Sequence, residues 1–456
     1  MYKVLATDKL SPRGVEILQQ AEGFEVVVNN HLSPQELLQV IGDFHALIIR
    51  SATKVNEAVL EAGKNLKVVG RAGIGVDNVD VTAASARGVL VMNTPGGNTI
   101  TTAEHAISLL LALARSIPQA TASLKGGKWE KDRFMGVELY QKTLGIIGLG
   151  RIGTEVARRA KGMMMEVIAY DPFISAEVAQ EMGVQLVDLD RLFAQSDFIT
   201  IHTPLTEETR NLIHEGTISR MKDGVRIINC ARGGIVNEAA LYRALKSGKV
   251  AGAALDVFEK EPLKESPLLE LDNFICTPHL GASSAEAQEN VAIAIARQVI
   301  DYLKRGVIRN AVNAPSLEPE VLSQIQPYLV LAEKLGSLES QLSEGRMEEI
   351  RIDYRGEIAG MDLAPLTVAV VKGVLSPILQ DAVNTINALP FAKGRGIRVV
   401  ESKSAQDEDF ASVISVGIQT DKGRSEVAGT IFKKREPRVI RINEFRLEAI
   451  PEGHIL

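Results

Sequence analysis

The stretch "TLGIIGLGRIGTEVARRA", Thr143 to Ala160, decides the fold of the central part of the chain. A short apolar strand runs into a loop with the spacing G-x-G-x-x-G, and an amphipathic helix follows the loop. A second apolar strand, "MEVIAYD", ends at Asp171, 23 residues after Gly148, the first glycine of the loop. This order of elements is typical of a unit that binds a dinucleotide: a strand, a glycine turn, a helix, and a second strand that ends in an acid at about this distance.

Each glycine of this loop has its own physical role in that interpretation. Gly148 allows the tight turn, Gly150 lets the backbone approach a pyrophosphate, and Gly153 lets helix and strand pack closely. The helix N-terminus then offers free N–H groups and a positive dipole end to the anion. Asp171 is expected to accept hydrogen bonds from the adenosine ribose and to repel a 2′-phosphate, which favours NAD over NADP. The alternative is a glycine turn beside a surface aspartate.

Strand and helix signals alternate on both sides of the loop. Residues 1–95 hold the strands "YKVLATD", "FEVVVNN", "ALIIRS" and "LKVVGRAG" with helical segments between them, and a second series runs from 143 to about 279. Strict alternation implies parallel sheets covered on both faces by helices. Between the two series, "TTAEHAISLLLALARSIPQATASL" predicts one long apolar helix. From about residue 321 the strands cluster, with "RVIRINEFRLEAI" predicted as one of them, which indicates a separate α+β unit.

Composition excludes several classes of protein. The 456 residues are enough for roughly three domains of about 150 residues, and the net charge of −6 argues against nucleic acid or a membrane surface as the main partner. The only two cysteines, Cys230 and Cys276, exclude a disulfide framework and fit a reducing cytoplasm. We find no signal peptide, no uninterrupted apolar run of the roughly 18 or more residues that a membrane span needs, and no histidine pair at metal-ligand spacing. We therefore predict no metal.

Three apolar strands end in residues that suit acid–base chemistry, and a dinucleotide fold places its chemistry at such strand ends. "RIINCARGG" leads to Arg232, "AGAALDVFEKEP" to Asp256 and Glu261, and "NFICTPHLGAS" to His279. A histidine can exchange a proton near neutral pH, a carboxylate can orient its ring, and a guanidinium can bind a substrate carboxylate with two hydrogen bonds. Each residue also has an ordinary explanation, as a packed strand-end histidine or as an arginine that only contacts a loop.

Four motifs in this order, "GLGRIG", "NCARGGIVNE", "DVFEKEP" and "TPHLGASS", resemble the D-isomer-specific 2-hydroxyacid dehydrogenase family. The segments "RSATKV", "VGRAGIGVDNVD" and "NTPGGNTITTAEHAISLLLALAR" narrow the resemblance to the members that oxidise 3-phosphoglycerate with NAD in the first step of serine synthesis. "VNAPSL" and "VVKGVLSPIL" resemble the long form, which has an additional intervening domain. The resemblance covers essentially the whole chain, and it implies an NAD-dependent oxidoreductase with 3-phosphoglycerate as substrate.

The resemblance also assigns roles to individual residues. It makes His279 the proton donor and acceptor, Glu261 its partner, and Arg232 the anchor of the substrate carboxylate. Its cofactor-binding positions are Gly148, Gly150, Arg151, Ile152, Gly153, Asp171, Thr203, Cys230, Asp256 and Gly281. Its substrate-binding positions are Arg50, Ser51, Arg71, Gly73, Asn98 and Arg232. Ile74 stands where many relatives have threonine, so only its backbone can serve the nicotinamide end. The two arginines Arg50 and Arg71 could alternatively form salt bridges between domains.

The family fold implies a flavodoxin-like substrate domain, a Rossmann NAD domain and a C-terminal α+β domain. The expected boundaries are 1–97 with 283–306 for the substrate domain, 98–282 for the NAD domain, 307–320 for a linker and 321–456 for the intervening domain. A cytoplasmic homodimer or homotetramer is expected. Related long chains continue into a small ACT domain that binds L-serine, and we expect serine inhibition through that module to be absent here.

Several alternatives remain open at this stage. The substrate could be another 2-hydroxy acid, such as 2-hydroxyglutarate, glycerate or lactate, or the chain could be a non-catalytic NAD-sensing protein of the same fold. His202 also ends an apolar strand and is the second candidate for the base. His105 lies within the long apolar helix, where a packed or interface role is the ordinary expectation. The intact set of Arg232, Glu261 and His279 favours the enzyme.

Overall fold

The computed structural model describes residues 1–315, 319–405, 410–433 and 435–453. Part of the predicted linker 307–320, residues 316–318, therefore lies outside the described residues. The chain forms two compact units, which we call unit 1 (Met1–Thr94 with Val291–Leu456) and unit 2 (Pro95–Asn290). Because unit 1 contains two separate sheets, its N-terminal and C-terminal parts are described in turn.

The N-terminal part of unit 1 is a five-stranded parallel sheet in the order β2-β1-β3-β4-β5. Its elements are β1 Tyr2–Ala6, α1 Pro12–Gln20, β2 Phe24–Val28, α2 Pro34–Val40, β3 Ala46–Ile49, α3 Glu57–Ala62, β4 Val68–Arg71, α4 Val81–Ala86 and β5 Leu90–Met92. Strand β3 is buried along its whole length, as expected for a sheet covered on both faces. This strand order is that of the flavodoxin fold, as predicted.

Unit 2 is built on a seven-stranded parallel sheet in the order β12-β11-β10-β9-β6-β7-β8. Its elements are α5 Thr99–Ala114, α6 Ile117–Lys125, β6 Thr143–Ile147, α7 Arg151–Gly162, β7 Glu166–Tyr170, α8 Ala176–Glu181, β8 Gln185–Leu186, α9 Leu189–Gln195, β9 Phe198–Ile201, α10 Glu215–Arg220, β10 Val225–Asn229, α11 Glu238–Ser247, β11 Val250–Leu255 and β12 Phe274–Cys276. Successive residues of β6 serve opposite faces, since Ile146 packs into one apolar cluster and Ile147 into the other. The order reverses between β6 and β9, which is where a Rossmann fold binds its ligand.

The predicted long helix is in fact two helices, so that prediction was wrong. Helix α5 ends before Arg115, and Ser116 has a φ of 48°, in the left-handed region that a right-handed helix cannot include. Pro118 then suits the first turn of a new helix, where no backbone N–H is needed. Among the described residues no single helix is long and apolar enough to cross a membrane. Helices α5 and α6 reach that length and composition only when they are taken together, and the angle between them is 62°.

The C-terminal part of unit 1 follows α12, Ala285–Arg305, a helix that begins in unit 2 and ends in unit 1. Its elements are α13 Pro319–Leu342, β13 Met347–Gly356, α14 Ala364–Leu379, α15 Ala388–Gly394, β14 Arg398–Ser404, β15 Ser412–Thr420, β16 Gly423–Phe432, β17 Glu436–Ile442 and β18 Phe445–Ala449. The sheet order is β14-β13-β15-β16-β17-β18, with only β13 and β14 parallel among these pairs. Helices α13 and α14 approach so closely that a Cβ atom at Gly336 would overlap the carbonyl oxygen of Val370.

The segment "RVIRINEFRLEAI" is a hairpin, β17 and β18, rather than the single strand predicted for it. Asn443 has a φ of 51°, a conformation that asparagine tolerates better than most residues, and it reverses the chain after Ile442. With that correction, the fold class is confirmed: two parallel α/β sheets and one α+β sheet follow each other along the chain.

Candidate active site

The glycine loop connects β6 to α7 in unit 2, and its three glycines differ in what surrounds them. Gly148 has a φ of 93°, and a Cβ atom there would lie 2.7 Å from the carbonyl oxygen of His202. A Cβ atom at Gly153 would overlap the carbonyl oxygen of Gly148. Gly150, the N-cap of α7, has no atom within 4 Å of its Cβ position. Two glycines are therefore required by the packing of the protein itself, while the third leaves open space at the helix N-terminus.

Asp171 follows β7, and its carboxylate connects the end of this strand to the glycine loop through hydrogen bonds. Its Oδ2 atom accepts a hydrogen bond from the Leu149 backbone N–H at 2.8 Å, and its Oδ1 atom accepts from the Phe173 N–H at 2.8 Å. The carboxylate thus fixes the middle of the glycine loop. Each carboxylate oxygen can accept more than one hydrogen bond, so ribose hydroxyls could still bind here.

Asp256 lies directly after β11 and its side chain has no solvent exposure. Its Oδ1 atom accepts from the Leu280 N–H at 2.7 Å and from the Thr277 hydroxyl at 2.5 Å, and its Oδ2 atom accepts from the Gly281 N–H at 2.8 Å. Burial alone would raise the pKa of Asp256, but hydrogen bonds from His105, Thr277 and Leu280 outweigh it and lower that pKa below its usual value. A buried aspartate therefore remains ionised under the loop that follows β12.

His279 lies in that loop and contacts Glu261, which follows β11. The Nδ1 atom of His279 is 2.7 Å from Oε2 of Glu261, and Oε1 of Glu261 accepts from the Phe258 N–H at 3.0 Å. The His279 backbone N–H donates to the carbonyl oxygen of Asp256 at 2.9 Å. Because a carboxylate only accepts hydrogen bonds, the proton of the neutral ring is on Nδ1, which leaves a lone pair on Nε2. About half of the His279 side chain is exposed.

The two charges of this pair stabilise each other. The hydrogen bond that His279 donates to Glu261 raises the pKa of His279, against the opposing effects of burial and of the Arg232 charge. Burial would raise the pKa of Glu261, but the hydrogen bonds from His279 and from the Phe258 N–H lower it below the usual value. The result is an ionised Glu261 beside an imidazole that binds a proton more readily than an isolated histidine.

Arg232 follows β10 in a segment that packs against the segment preceding Glu261. The side chain of Asn229 accepts from the Ala231 N–H and donates to the Arg232 carbonyl, both at 2.9 Å, which turns the chain after the strand. A Cβ atom at Gly233 would overlap the carbonyl oxygen of Phe258, so only glycine allows this approach. The Arg232 charge partly opposes the rise in the pKa of His279, so its guanidinium acts on the imidazole. The structure therefore brings together the three residues predicted to be catalytic.

Two further predicted site residues of unit 2 carry buried polar atoms with no hydrogen-bond partner among the described residues. They are Thr203, a predicted cofactor residue that follows β9, through its Oγ1 atom, and Asn98, a predicted substrate residue at the start of α5, through its Oδ1 atom. This is the condition expected of groups that a ligand would satisfy. Burial, assisted by the Asp256 charge, raises the pKa of the Cys230 thiol, so this cysteine is neutral. A Cβ atom at Gly281 would lie 3.1 Å from Oδ2 of Asp256. Arg151 and Ile152 are the first two residues of α7. This residue set fits a dinucleotide.

The predicted substrate residues of unit 1 follow the neighbouring strands β3 and β4. Arg50 donates its backbone N–H to Oδ2 of Asp8 at 2.6 Å, and the exposed Ser51 comes next. Arg71 ends β4, and its guanidinium occupies the space where Gly73, at a φ of 152°, would carry a Cβ atom. The carbonyl oxygen of Ile74 accepts from the side-chain N–H of Asn93 at 2.5 Å. These residues therefore share one edge of the N-terminal sheet.

The structure places the two other histidines considered from the sequence in different surroundings. His202 bonds through Nε2 to the Thr200 hydroxyl at 2.9 Å, and burial lowers its pKa to about 4. A ring with that pKa is uncharged near neutral pH and is too weak a base to accept a substrate proton readily. His105, by contrast, lies 3.2 Å from Oδ1 of Asp256 and 3.1 Å from Oγ1 of Thr277. Sequence reasoning missed this contact, because these partners lie 151 and 172 positions away.

Among the residues that the structure describes, no group of three or more histidine, cysteine, aspartate or glutamate side chains could hold a metal ion.

Comparison with known families identifies two segments of the chain. The family described as "D-isomer specific 2-hydroxyacid dehydrogenase, NAD binding domain" matches residues 107–281. The family described as "D-3-phosphoglycerate dehydrogenase intervening domain" matches residues 324–443. The two matches lie in unit 2 and in the C-terminal part of unit 1.

Similar proteins extend the match to the full chain. The D-3-phosphoglycerate dehydrogenase of Archaeoglobus fulgidus is 47% identical over 455 residues, covering 100% of this chain and 86% of that protein. That of Bacillus subtilis is 42% identical over 456 residues, with coverage of 100% and 86%. Among solved structures, D-lactate dehydrogenase from Aquifex aeolicus, complexed with NAD and lactic acid, is similar with a TM-score of 0.61 and 30% identity, covering 69% of this chain and 100% of that chain.

Proposed function

The chain belongs to the D-3-phosphoglycerate dehydrogenases of the D-isomer-specific 2-hydroxyacid dehydrogenase family, and we propose that His279, Glu261 and Arg232 carry out its chemistry. The protein is an NAD-dependent oxidoreductase that oxidises D-3-phosphoglycerate to 3-phosphohydroxypyruvate, the first step of L-serine synthesis. The observation that carries the residue assignment is the 2.7 Å contact between His279 Nδ1 and Glu261 Oε2.

The proton step follows from the state of this pair. Neutral His279, with its Nδ1–H donated to Glu261, takes the proton of the substrate C2 hydroxyl on Nε2. The ring becomes an imidazolium ion that the ionised Glu261 stabilises, and the raised pKa of His279 supports this assignment. In the reverse direction the imidazolium ion returns the proton to the oxygen of the keto acid. Arg232 binds the substrate carboxylate through two hydrogen bonds and orients the reacting carbon.

The cofactor is NAD, which when bound accepts a hydride from the substrate carbon. We propose that the backbone of the glycine loop and the start of α7 bind its pyrophosphate, and that Asp171 binds the adenosine ribose. The residues proposed to bind NAD are Gly148, Gly150, Arg151, Ile152, Gly153, Asp171, Thr203, Cys230, Asp256 and Gly281, together with the backbone of Ile74. The open space at Gly150 and the unsatisfied hydroxyl of Thr203 support this proposal.

The substrate phosphate needs a cationic site, and we propose that the N-terminal sheet edge supplies it. Arg50, Ser51, Arg71 and Gly73 provide two guanidinium groups, a hydroxyl and a backbone N–H, all suited to a doubly charged anion. Asn98, whose Oδ1 atom has no partner in the described part of the chain, is proposed as a further substrate contact. The boundaries 1–97 with 283–306, 98–282, 307–320 and 321–456 remain our proposal for the domains.

We also propose that the chain forms a homodimer or homotetramer in the cytoplasm. The observation that supports an oligomer is the exposure of four apolar side chains on and after α6: Ile117, Leu124, Trp129 and Met135 are 54%, 58%, 84% and 86% exposed. Side chains of this type commonly form subunit interfaces. Light scattering of the native chain and of Trp129→Glu tests this, since loss of the interface lowers the molecular mass in solution.

The function itself is tested by following NADH formation from D-3-phosphoglycerate with the purified chain. Parallel assays with D-lactate, D-glycerate and D-2-hydroxyglutarate measure how much the substrate phosphate contributes to kcat/KM. A substantially higher kcat/KM for an unphosphorylated acid would reassign the substrate. Absence of turnover with every acid, together with tight NAD binding, would instead support an NAD-sensing protein.

A further inference from the structure

Helix α5 brings one polar side chain against the loop that carries His279. His105 is only 18% exposed, and its Nε2 atom lies 3.2 Å from Oδ1 of Asp256 and 3.1 Å from Oγ1 of Thr277. A carboxylate only accepts hydrogen bonds, so the ring nitrogen that faces Asp256 carries a proton. Eight residues of α5 are buried, most of them apolar, and a polar ring on such a helix is costly unless it is paired. The pairing with Asp256 meets that requirement.

Asp256 in turn holds the loop on both sides of His279. Before His279 it binds the hydroxyl of Thr277, and after it the backbone N–H groups of Leu280 and Gly281. Its carbonyl oxygen accepts the N–H of His279 itself. Five contacts on one residue, including that from His105, therefore determine where the loop lies.

The backbone of His279 needs such support. Its φ of 56° is in the left-handed region, which is unfavourable for a residue with a side chain and persists only where the surroundings enforce it. The ring direction that brings Nδ1 to within 2.7 Å of Glu261 depends on that backbone conformation. A small change at Asp256 would therefore move the imidazole relative to Glu261.

We propose that His105 is a positioning residue for His279: by donating to Asp256 it fixes the loop Thr277–Gly281 and so aligns the imidazole with Glu261 and the substrate. This inference rests on the proposed catalytic role of His279. His105 itself does not exchange a proton with substrate. Its contribution is to hold an ionised, fully buried carboxylate in one orientation through a ring whose position is set by α5.

The test compares three substitutions at position 105 with a matched control on the same helix. His105→Ala removes the donor, and His105→Asn keeps an amide that is too short to reach Asp256. His105→Gln places an amide N–H where the Nε2 atom was. Ser108→Ala alters an exposed residue of α5 three positions further on, and it should leave kcat within about twofold of the native value.

We expect His105→Ala and His105→Asn to lower kcat by about tenfold to hundredfold, because small displacements of reacting groups have effects of this size. In the native enzyme kcat/KM should rise with pH through the pKa of His279, whose ring is in the field of Glu261, Asp256 and Arg232. The midpoint of this rise should move to lower pH in both variants. His105→Gln should restore kcat to within about threefold of native. The unfolding temperature of each folded variant is measured alongside.

Two outcomes would overturn the inference. One is a native kcat and pH profile in His105→Ala, or in His105→Asn if the alanine variant does not fold. The other is a His105→Gln variant as slow as His105→Asn at an equal unfolding temperature. Failure of the proposed function is separate, since it would appear in the native chain or in His279→Ala, whatever the behaviour of the position 105 variants.

Discussion

The Nδ1 atom of His279 lies 2.7 Å from Oε2 of Glu261, although the two residues follow different strands and are 18 positions apart. Parallel strands β11 and β12 are neighbours, so the segments after their carboxyl ends meet. Glu261 is anchored by the Phe258 N–H, and His279 by the carbonyl oxygen of Asp256. The sheet therefore supplies an acid–base pair whose relative position is fixed by the backbone of both residues.

The pH dependence of turnover should report this pair. Oxidation needs neutral His279, so kcat/KM rises with pH through the pKa of His279. Because Glu261 raises that pKa, the rise in the native enzyme should be centred above about 6.5, the ordinary histidine value. Glu261→Gln removes the carboxylate charge, and the midpoint should move to lower pH while kcat falls. A midpoint unchanged in Glu261→Gln would mean that another group controls the protonation of the base.

Alanine substitutions at two glycines of the loop should affect different properties, one the stability of the fold and the other the binding of NAD. Gly153→Ala places a Cβ atom against the Gly148 carbonyl oxygen, and we expect a loss of about 1–3 kcal/mol in the free energy of unfolding. Gly150→Ala has space for its Cβ atom and should unfold near the native temperature. Its methyl group would nevertheless occupy the proposed pyrophosphate site and raise the Kd for NAD at least about tenfold, or about 1.4 kcal/mol. Equal NAD affinity in Gly150→Ala and the native chain would place the pyrophosphate elsewhere.

Asp171 should determine the preference for NAD over NADP. Asp171→Ala removes the negative charge that would repel a 2′-phosphate, so the ratio of kcat/KM for NAD to that for NADP should fall by at least about tenfold. Glu181→Ala, an exposed acid at the end of α8, is the matched control and should leave the ratio unchanged. If both variants discriminate as the native enzyme does, Asp171 serves only to hold the Leu149 and Phe173 N–H groups.

Arg71 should act on the substrate phosphate. Arg71→Ala removes a charge-assisted hydrogen bond of about 1.5–3 kcal/mol, so the KM for D-3-phosphoglycerate should rise by roughly tenfold or more. The kinetic constants for D-glycerate, which lacks the phosphate, should change much less. Arg71→Lys keeps the charge and should recover part of the loss. An equal rise in KM for both substrates would argue against a phosphate contact.

The sequence was sufficient to predict those parts of the fold that depend on patterns of apolar residues and glycines close together in the chain. Alternating strands and helices predicted the two parallel sheets, and the glycine spacing after β6 predicted the NAD-binding unit, both of which are confirmed. The break between α5 and α6 was missed, because apolar residues continue on both sides of Ser116 and serine has no marked preference for the left-handed conformation. The β17–β18 hairpin was missed because a single asparagine, Asn443, reverses an otherwise continuous strand pattern.

The site was predictable only where a residue belongs to a motif. Arg232, Glu261 and His279 stand at strand ends in recognisable segments, so they could be selected before their distances were known. His105 carries no such signal, since its contact with Asp256 is created by packing α5 against a loop far along the chain. His202 illustrates the opposite case, because its place at a strand end does not reveal that the ring is buried and that burial lowers its pKa to about 4.

The most direct test of this account measures turnover and NAD binding together in His279→Ala. We expect kcat for D-3-phosphoglycerate to fall by about a hundredfold to ten-thousandfold, the usual contribution of a general base. The Kd for NAD, followed by fluorescence titration, should stay within about twofold of the native value, because the proposed dinucleotide contacts are made by other residues. A kcat near that of the native enzyme, with NAD bound normally, would contradict the assignment of His279 as the base.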